Sequence, residues 1–391
     1  MNQAADLSEQ LDCFDFQPRT RVVCGPNTID RLGELASEIG TRRALVVTDP
    51  GIVDAGHVHR GVTALTKANI ETLVFDGARE NPTTDHVDAG LAIAKRFEPE
   101  LLIGLGGGSS MDCAKGINFL YSCGGRMQDY WGVGKALNEM LPMIAVPTTA
   151  GTGSELQSFA LISDADTHVK MACGDKKASC RIAILDPCLT LTQPSAVTAL
   201  TGVDALSHAV ETFVTTKRNR VSLLFSKESF RLLIANFEKV FAEPDNLDAR
   251  AGMQLGAAYA GLAIENSMLG AAHALANPLT ATFDTAHGQA VGLMLPHVVR
   301  FNGVEFDDQY RELLKATDFE IDSARTCSDQ LAEYLTHLVG VAGLKTTLND
   351  LQVPDDQLAD LAEAASKQWT GNFNPRSVDI VSLQSIYRSA Y

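Results

Sequence analysis

A chain of 391 residues, 45% hydrophobic and 20% charged, has a globular composition and enough length for two domains of ordinary size. Its formal net charge of −16 excludes nucleic acid and anionic membrane surfaces as expected partners. An anionic cofactor would instead be held by local backbone N–H groups and helix ends.

The start, MNQAADLSEQLDCFDF, has neither the basic residues nor the apolar run of a signal peptide. The runs ALVVT (44–48), ETLVF (71–75), LLIGL (101–105) and MIAV (143–146) are β-rich and of strand length. Helical periodicity over 81–96 and 109–121 separates them, and RIAIL (181–185) reads as a last strand. Strands spaced by helices in this way predict βαβ units in a doubly wound parallel sheet. After Gln193-Pro194-Ser195 the strand-like runs vanish. Helices are expected over about 195–216, 220–242, 247–267, 288–301, 323–340 and 355–368, with Pro194 and Ser195 as first-turn and capping residues. The expectation is therefore an α/β dinucleotide-binding domain over 1–193 and an all-helical metal-binding, catalytic domain over 194–391. The most apolar stretch, 255–264, is too short to span a bilayer and suits a closely packed helix. Eight scattered cysteines without a CxxC pair read as free thiols of a cytoplasmic protein.

Three segments carry chemistry. Gly104-Leu105-Gly106-Gly107-Gly108-Ser109-Ser110-Met111-Asp112 follows a strand and opens a helix, so backbone can approach a pyrophosphate lying against the helix N-terminus. It is not a P-loop, and Ser109 stands where a third fingerprint glycine would be. PTTAGTGSE (147–155) also follows a strand, and Thr148, Thr149 and Thr152 offer hydroxyl and backbone donors. Asp49 ends the strand ALVVT, where a carboxylate bonds ribose hydroxyls and repels a 2′-phosphate, favouring NAD over NADP. Each of these alone also fits an ordinary turn.

In the second half, Asp204 and His208 lie four apart, on one face of a helix. His273 and His287 stand fourteen apart, with Asn277-Pro278 expected to bend the chain between them. One oxygen and three nitrogens suit iron(II) or zinc. Any single histidine could be a core residue; the four together point to one metal.

In this order, GGGSxxD, PTTAGTGSE, DxxxH, GxxH and HG, with a late Asn374-Pro375-Arg376, the motifs resemble those of the iron-containing (group III) alcohol dehydrogenases, from about Phe16 to the C-terminus. The resemblance implies a dehydroquinate synthase-like architecture with a Rossmann-like first domain, and a homodimer. It implies hydride transfer between NAD and a metal-bound primary or secondary alcohol, or the reverse reduction of an aldehyde or ketone. It assigns Asp204, His208, His273 and His287 to the metal, usually Fe2+, with Zn2+ as the second choice. Gly106, Gly107, Gly108, Ser109, Asp112, Thr148, Thr149 and Thr152 fall in its NAD-binding loops, with Asp49 at the ribose. Lys170 and Leu189 match further cofactor contacts. Many members carry a second histidine where this chain has Asn277, which cannot titrate near neutral pH. The rival readings are a hydroxyacid–oxoacid transhydrogenase, a non-redox NAD- and metal-dependent lyase of the dehydroquinate synthase type, and a non-enzymatic NAD- or metal-binding protein. An intact ligand set speaks against the last, and Asp-His-His-His in place of Glu-His-His against the lyase.

Overall fold

The computed structural model describes residues 14–391 and places them in two compact units, Pro18–Gln193 and Pro194–Tyr391. Residues 14–17 belong with the second unit, where Phe16 packs on Phe225 with ring centroids 6.1 Å apart.

The first unit contains nine strands: β1 (Arg21–Cys24), β2 (Arg43–Val47), β3 (Glu71–Phe75), β4 (Leu101–Gly106), β5 (Gly132–Val133), β6 (Met143–Pro147), β7 (Phe159–Ser163), β8 (Lys170–Gly174) and β9 (Ile182–Leu185). Six form one parallel sheet in the order β1-β9-β6-β4-β2-β3, with Val46 opposite Val74 on one side and Ile103 on the other. Its helices are α1 (Leu32–Ile39), α2 (Pro50–Asp54), α3 (His57–Lys67), α4 (Thr84–Phe97) and α5 (Gly108–Cys123). The period-2 alternation of a strand sorts β2 between two cores. Ala44 and Val46 pack with Leu35 of α1 and Leu65 of α3, while Leu45 and Val47 pack with Val87 of α4 and Ile117 of α5. Both faces are thus covered, which is why the central strands read as unbroken apolar runs.

The strand β1 escaped the sequence reading because it is an edge strand, with only Val23 buried. The small sheet β5-β8-β7 escaped it too, since β7 alternates buried and exposed residues over only five positions.

The second unit is helical: α6 (Ser195–Val214), α7 (Arg220–Ala242), α8 (Leu247–Glu265), α9 (Ala271–Phe283), α10 (His287–Leu314), α11 (Cys327–Val341), α12 (Leu358–Ser366) and α13 (Ile380–Ser389). Two expectations need correction. Pro194 is the N-cap of α6 and makes no side-chain cap bond, so Ser195 is simply its first helical residue. The helix expected over 288–301 continues to Leu314, merging two pieces across a kink at Phe306 (φ −124°). Most important for the site, Asn277-Pro278 lies inside a helix, since α9 runs through Pro278. A proline inside a helix removes one N–H donor without forcing a reversal. Here the neighbouring Leu275 carbonyl accepts a 2.5 Å bond from the Tyr387 hydroxyl. The reversal comes later, at Asp284, which adopts a left-handed conformation (φ 51°).

No helix among the described residues is long and apolar enough to cross a membrane, and the stretch 255–264 lies within α8. The seven cysteines among the described residues are free thiols.

Candidate functional site

In the sheet unit, the chain leaves β2 toward β3 on one side and leaves β4 toward β6 on the other. The crevice at the carboxyl ends of β2 and β4 is therefore the topological switch point, where open α/β sheets bind ligands. Asp49 follows β2 and the glycine loop follows β4, so the fold brings two of the sequence candidates together there.

Gly106 has φ +149°, and a Cβ on it would come within 2.5 Å of the Ser110 hydroxyl and 3.3 Å of Asp49 Oδ2. A Cβ on Gly108 would meet the Thr152 side chain at 2.6 Å. Only glycine lets the three segments close up. The result is an N-terminus of α5 with no side-chain cap, flanked by half-buried Gly107, Ser109, Thr149 and Thr152. Such an end presents N–H donors and the positive pole of the helix to an anion. Thr148 is buried and its hydroxyl has no hydrogen-bond partner, and Thr48 at the end of β2 is in the same condition. Asp49 caps α2 through the Ile52 N–H (3.2 Å) and accepts a bond from the Ser110 hydroxyl (3.1 Å).

Asp112 is buried, and its burial pushes the carboxyl above the usual range, against the pull of Lys115, of the Ser154 hydroxyl (2.7 Å) and of Lys170. Lys170 itself is exposed and donates to Asn81 Oδ1 (3.2 Å). Leu189 is a core side chain, packed with the cluster that contains Val46 and Leu105. The sequence reading passed over Lys115. Fully buried, its Nζ lies 2.7–2.9 Å from the Ser154 carbonyl and hydroxyl and from the Gln157 and Phe159 carbonyls. It ties the segment after the threonine loop to α5. The signal was a lysine three residues after Asp112 in a helix with no other basic residue. Beside it, Glu155 is buried and its carboxyl is pushed up to about 7.

In the helical unit, α6, α9 and α10 gather the other four candidates. Asp204 Oδ1 lies 3.4 Å from His208 Nε2, 3.5 Å from His273 Nε2 and 3.8 Å from His287 Nε2. The rings of His208 and His273 stack with centroids 5.0 Å apart, and the His273 and His287 centroids are 5.4 Å apart. Asp204, His208 and His273 are buried, while the His287 side chain is 28% exposed, so the cluster opens on its side. His287 reaches Asp204 because α10 crosses α6 at glycines: a Cβ on Gly288 would strike the Leu200 carbonyl at 2.1 Å, and one on Gly292 would strike Val203 at 2.1 Å.

Asp204 Oδ1 and His273 Nε2 are buried without hydrogen-bond partners, a condition that costs several kcal/mol per charged group unless a cation completes the set. Burial works to raise the Asp204 carboxyl, and the surrounding imidazoles of His208, His287 and His273 reverse this and hold it far below the usual range. Burial likewise opposes charge on His273, but Glu211 and Asp204 outweigh it and push the imidazole up to about 9. Glu211 is the second residue that sequence reasoning missed. It stands three after His208 and seven after Asp204, on the same face of α6, but an acidic residue in a helix is ordinarily solvated.

Known proteins resemble this chain over nearly its whole length. The sequence model of the family described as "Iron-containing alcohol dehydrogenase" matches residues 18–187, and that of "Fe-containing alcohol dehydrogenase family, C-terminal" matches 198–391. A 1,3-propanediol dehydrogenase of Klebsiella pneumoniae is 33% identical over 382 residues, 97% of this chain and 99% of that one. The crystal structure of a 1,3-propanediol oxidoreductase superposes with a TM-score of 0.94 at 32% identity, covering 97% of this chain and 100% of the other. A sulfoacetaldehyde reductase from Bifidobacterium kashiwanohense, solved in complex with NAD+, superposes with a TM-score of 0.88 at 28% identity, covering 97% and 99%.

Proposed function

Because this chain belongs to the iron-containing alcohol dehydrogenase family, we propose that it is an NAD-dependent alcohol dehydrogenase and aldehyde reductase. Its helical domain holds one divalent ion, iron(II) in first place and zinc in second, through Asp204, His208, His273 and His287. The observation that carries the reading is the convergence of three imidazole nitrogens on a buried carboxylate oxygen that has no hydrogen bond. That donor set fits a borderline metal better than it fits calcium or magnesium. When bound, the ion supplies Lewis acidity toward an alcohol or carbonyl oxygen, and NAD supplies or takes the hydride.

In this reading the sheet domain binds and orients. Gly106, Gly107, Gly108 and Ser109 present the bare N-terminus of α5 to the pyrophosphate. Thr148, Thr149 and Thr152 offer hydroxyl and backbone partners, Thr148 with a buried hydroxyl that has no partner within the protein. Asp112 and Lys170 flank the loop, and Leu189 supports it from the core. Asp49 takes the ribose hydroxyls.

A panel of small alcohols with NAD and NADP, run after anaerobic loading with iron or zinc, tests the reading. Oxidation should be lost on chelation and restored by the metal. It should favour NAD by roughly tenfold or more, since a 2′-phosphate would lie against the Asp49 carboxylate. Asp49→Gly should narrow that preference. Equal efficiency with both cofactors in the unmutated enzyme removes Asp49 from the ribose site, and no turnover of any alcohol by metal-loaded protein removes the function.

The Asn277 amide, one turn after His273, donates to Gln368 Oε1 (3.0 Å), a partner that titrates no more than it does. The pH profile of kcat/KM should therefore show no step from this position. Asn277→His should introduce one between about pH 6 and 8, where an unperturbed imidazole ionises. An unchanged profile with unchanged metal content would mean that position 277 plays no part in proton movement.

A further inference from the structure

The helix that carries His273 begins without a cap of its own. Its N-cap is Gly270, which has no side chain to offer. The first N–H groups of α9 are met instead by residues from elsewhere in the fold. Ala271 N–H donates to Asn374 Oδ1 (3.3 Å), and Ala272 N–H donates to Glu211 Oε1 (2.7 Å). The second oxygen of the same carboxylate, Oε2, pairs with His273 Nδ1. A Cβ on Gly270 would lie 3.2 Å from Glu211 Oε1 and 3.1 Å from Asn374 Oδ1, so the bare glycine leaves room for both.

We propose that Glu211 is the positioning residue of this centre, using one carboxylate oxygen to fix the start of α9 and the other to hold His273 in the tautomer that turns a bare Nε2 toward Asp204. The inference rests on the metal reading above and deepens it. The carboxylate is an acceptor at both oxygens, so the only neutral form of His273 it favours carries its proton on Nδ1. Nε2 is then left as a lone-pair donor, on the atom 3.5 Å from Asp204 Oδ1. Because Oε1 is tied to the backbone of the neighbouring residue, the ring is oriented relative to its own helix. Carboxylates behind metal-binding histidines act in this way in general, fixing tautomer and orientation and raising ligand basicity. The negative charge also sits at the N-terminal end of α9, where the helix dipole favours it.

Glutamine is the informative replacement, since it keeps the size of the side chain and reverses half of its hydrogen bonding. If the amide oxygen serves Ala272 N–H, the amide NH2 faces Nδ1 and selects the tautomer protonated on Nε2, which cannot bind a metal. If the amide is flipped, two donors collide at Ala272. The test uses the full-length protein, stripped and titrated with Zn2+ against a chromophoric chelator, with Co2+ as a second, coloured probe. Glu211→Gln should weaken Zn2+ binding roughly 10- to 100-fold and shift the visible Co2+ bands, because the ring geometry changes. Glu211→Asp keeps two acceptor oxygens on a shorter arm and should recover part of the lost affinity. Zinc binding by Glu211→Gln within threefold of the parent, with an unchanged Co2+ spectrum, overturns the proposal. So does a Glu211→Asp variant that binds no better than Glu211→Gln. Should the unmutated protein take up neither Zn2+ nor Co2+, it is the metal reading that fails, and the role of Glu211 falls with it.

Discussion

Replacing His273 by alanine should remove most of the bound metal and lower kcat/KM by about a thousandfold or more, and His287→Ala should do the same. Lewis-acid stabilisation is worth several kcal/mol, and each 1.4 kcal/mol is a factor of ten. The two variants should differ in stability. His273 is buried between Asp204 and Glu211, so its removal leaves Glu211 Oε2 without a partner in the interior. His287 stands on the more open side of the cluster, and its loss should cost the fold less. Elemental analysis and turnover check the first statement, and thermal melts of the stripped proteins check the second. Full metal content in either variant with activity preserved would show that the ligand assignment is wrong.

Acidity follows from the same site. In the metal-free chain His273 is pushed up to about 9 from 6.5, so its proton competes with the incoming ion. Its contribution to the stability of the stripped protein is complete below about pH 6.5 and is lost as the pH rises through about 9. Apparent metal affinity should move the other way, rising with pH across that window. The metal-loaded protein should not show the stability slope, because the ion takes the place of the proton.

Lys115→Met should destabilise the sheet unit by roughly 3 kcal/mol, the cost of breaking a buried charged network. For a unit of this size that is a fall of about 6–12 °C in Tm. Methionine fills most of the space but donates nothing to the carbonyls of Ser154, Gln157 and Phe159, and it removes the cation nearest the buried Asp112. The segment that follows the threonine loop would lose its tie to α5. The KM for NAD should therefore rise roughly tenfold or more, while metal content stays at the parent level because the ligands lie in the other unit. An unchanged melt and an unchanged KM would show that the four contacts hold nothing together.

The sequence by itself determined the elements whose signals are local. Apolar strands such as 101–105 and 143–146 were legible because a strand covered on both faces must be apolar throughout. Asp204 and His208 were legible as a pair because a helix brings positions four apart onto one face. The glycine loop was legible because three consecutive glycines between a strand and a helix are a local pattern, although the close contacts that require Gly106 and Gly108 are tertiary. Only the tertiary structure decided how His273 and His287 arrive at Asp204. The helix ends at Asp284, not at Pro278, because a proline within a packed helix removes one hydrogen bond and can kink the helix without ending it. The approach of His287 depends on α10 touching the backbone of α6 at Gly288, a contact between residues 88 apart that no local pattern encodes. Lys115 and Glu211 were hidden for the same reason. A charged side chain on a helix is ordinarily solvated, and both are buried here because acceptors or donors from distant segments meet them in the interior.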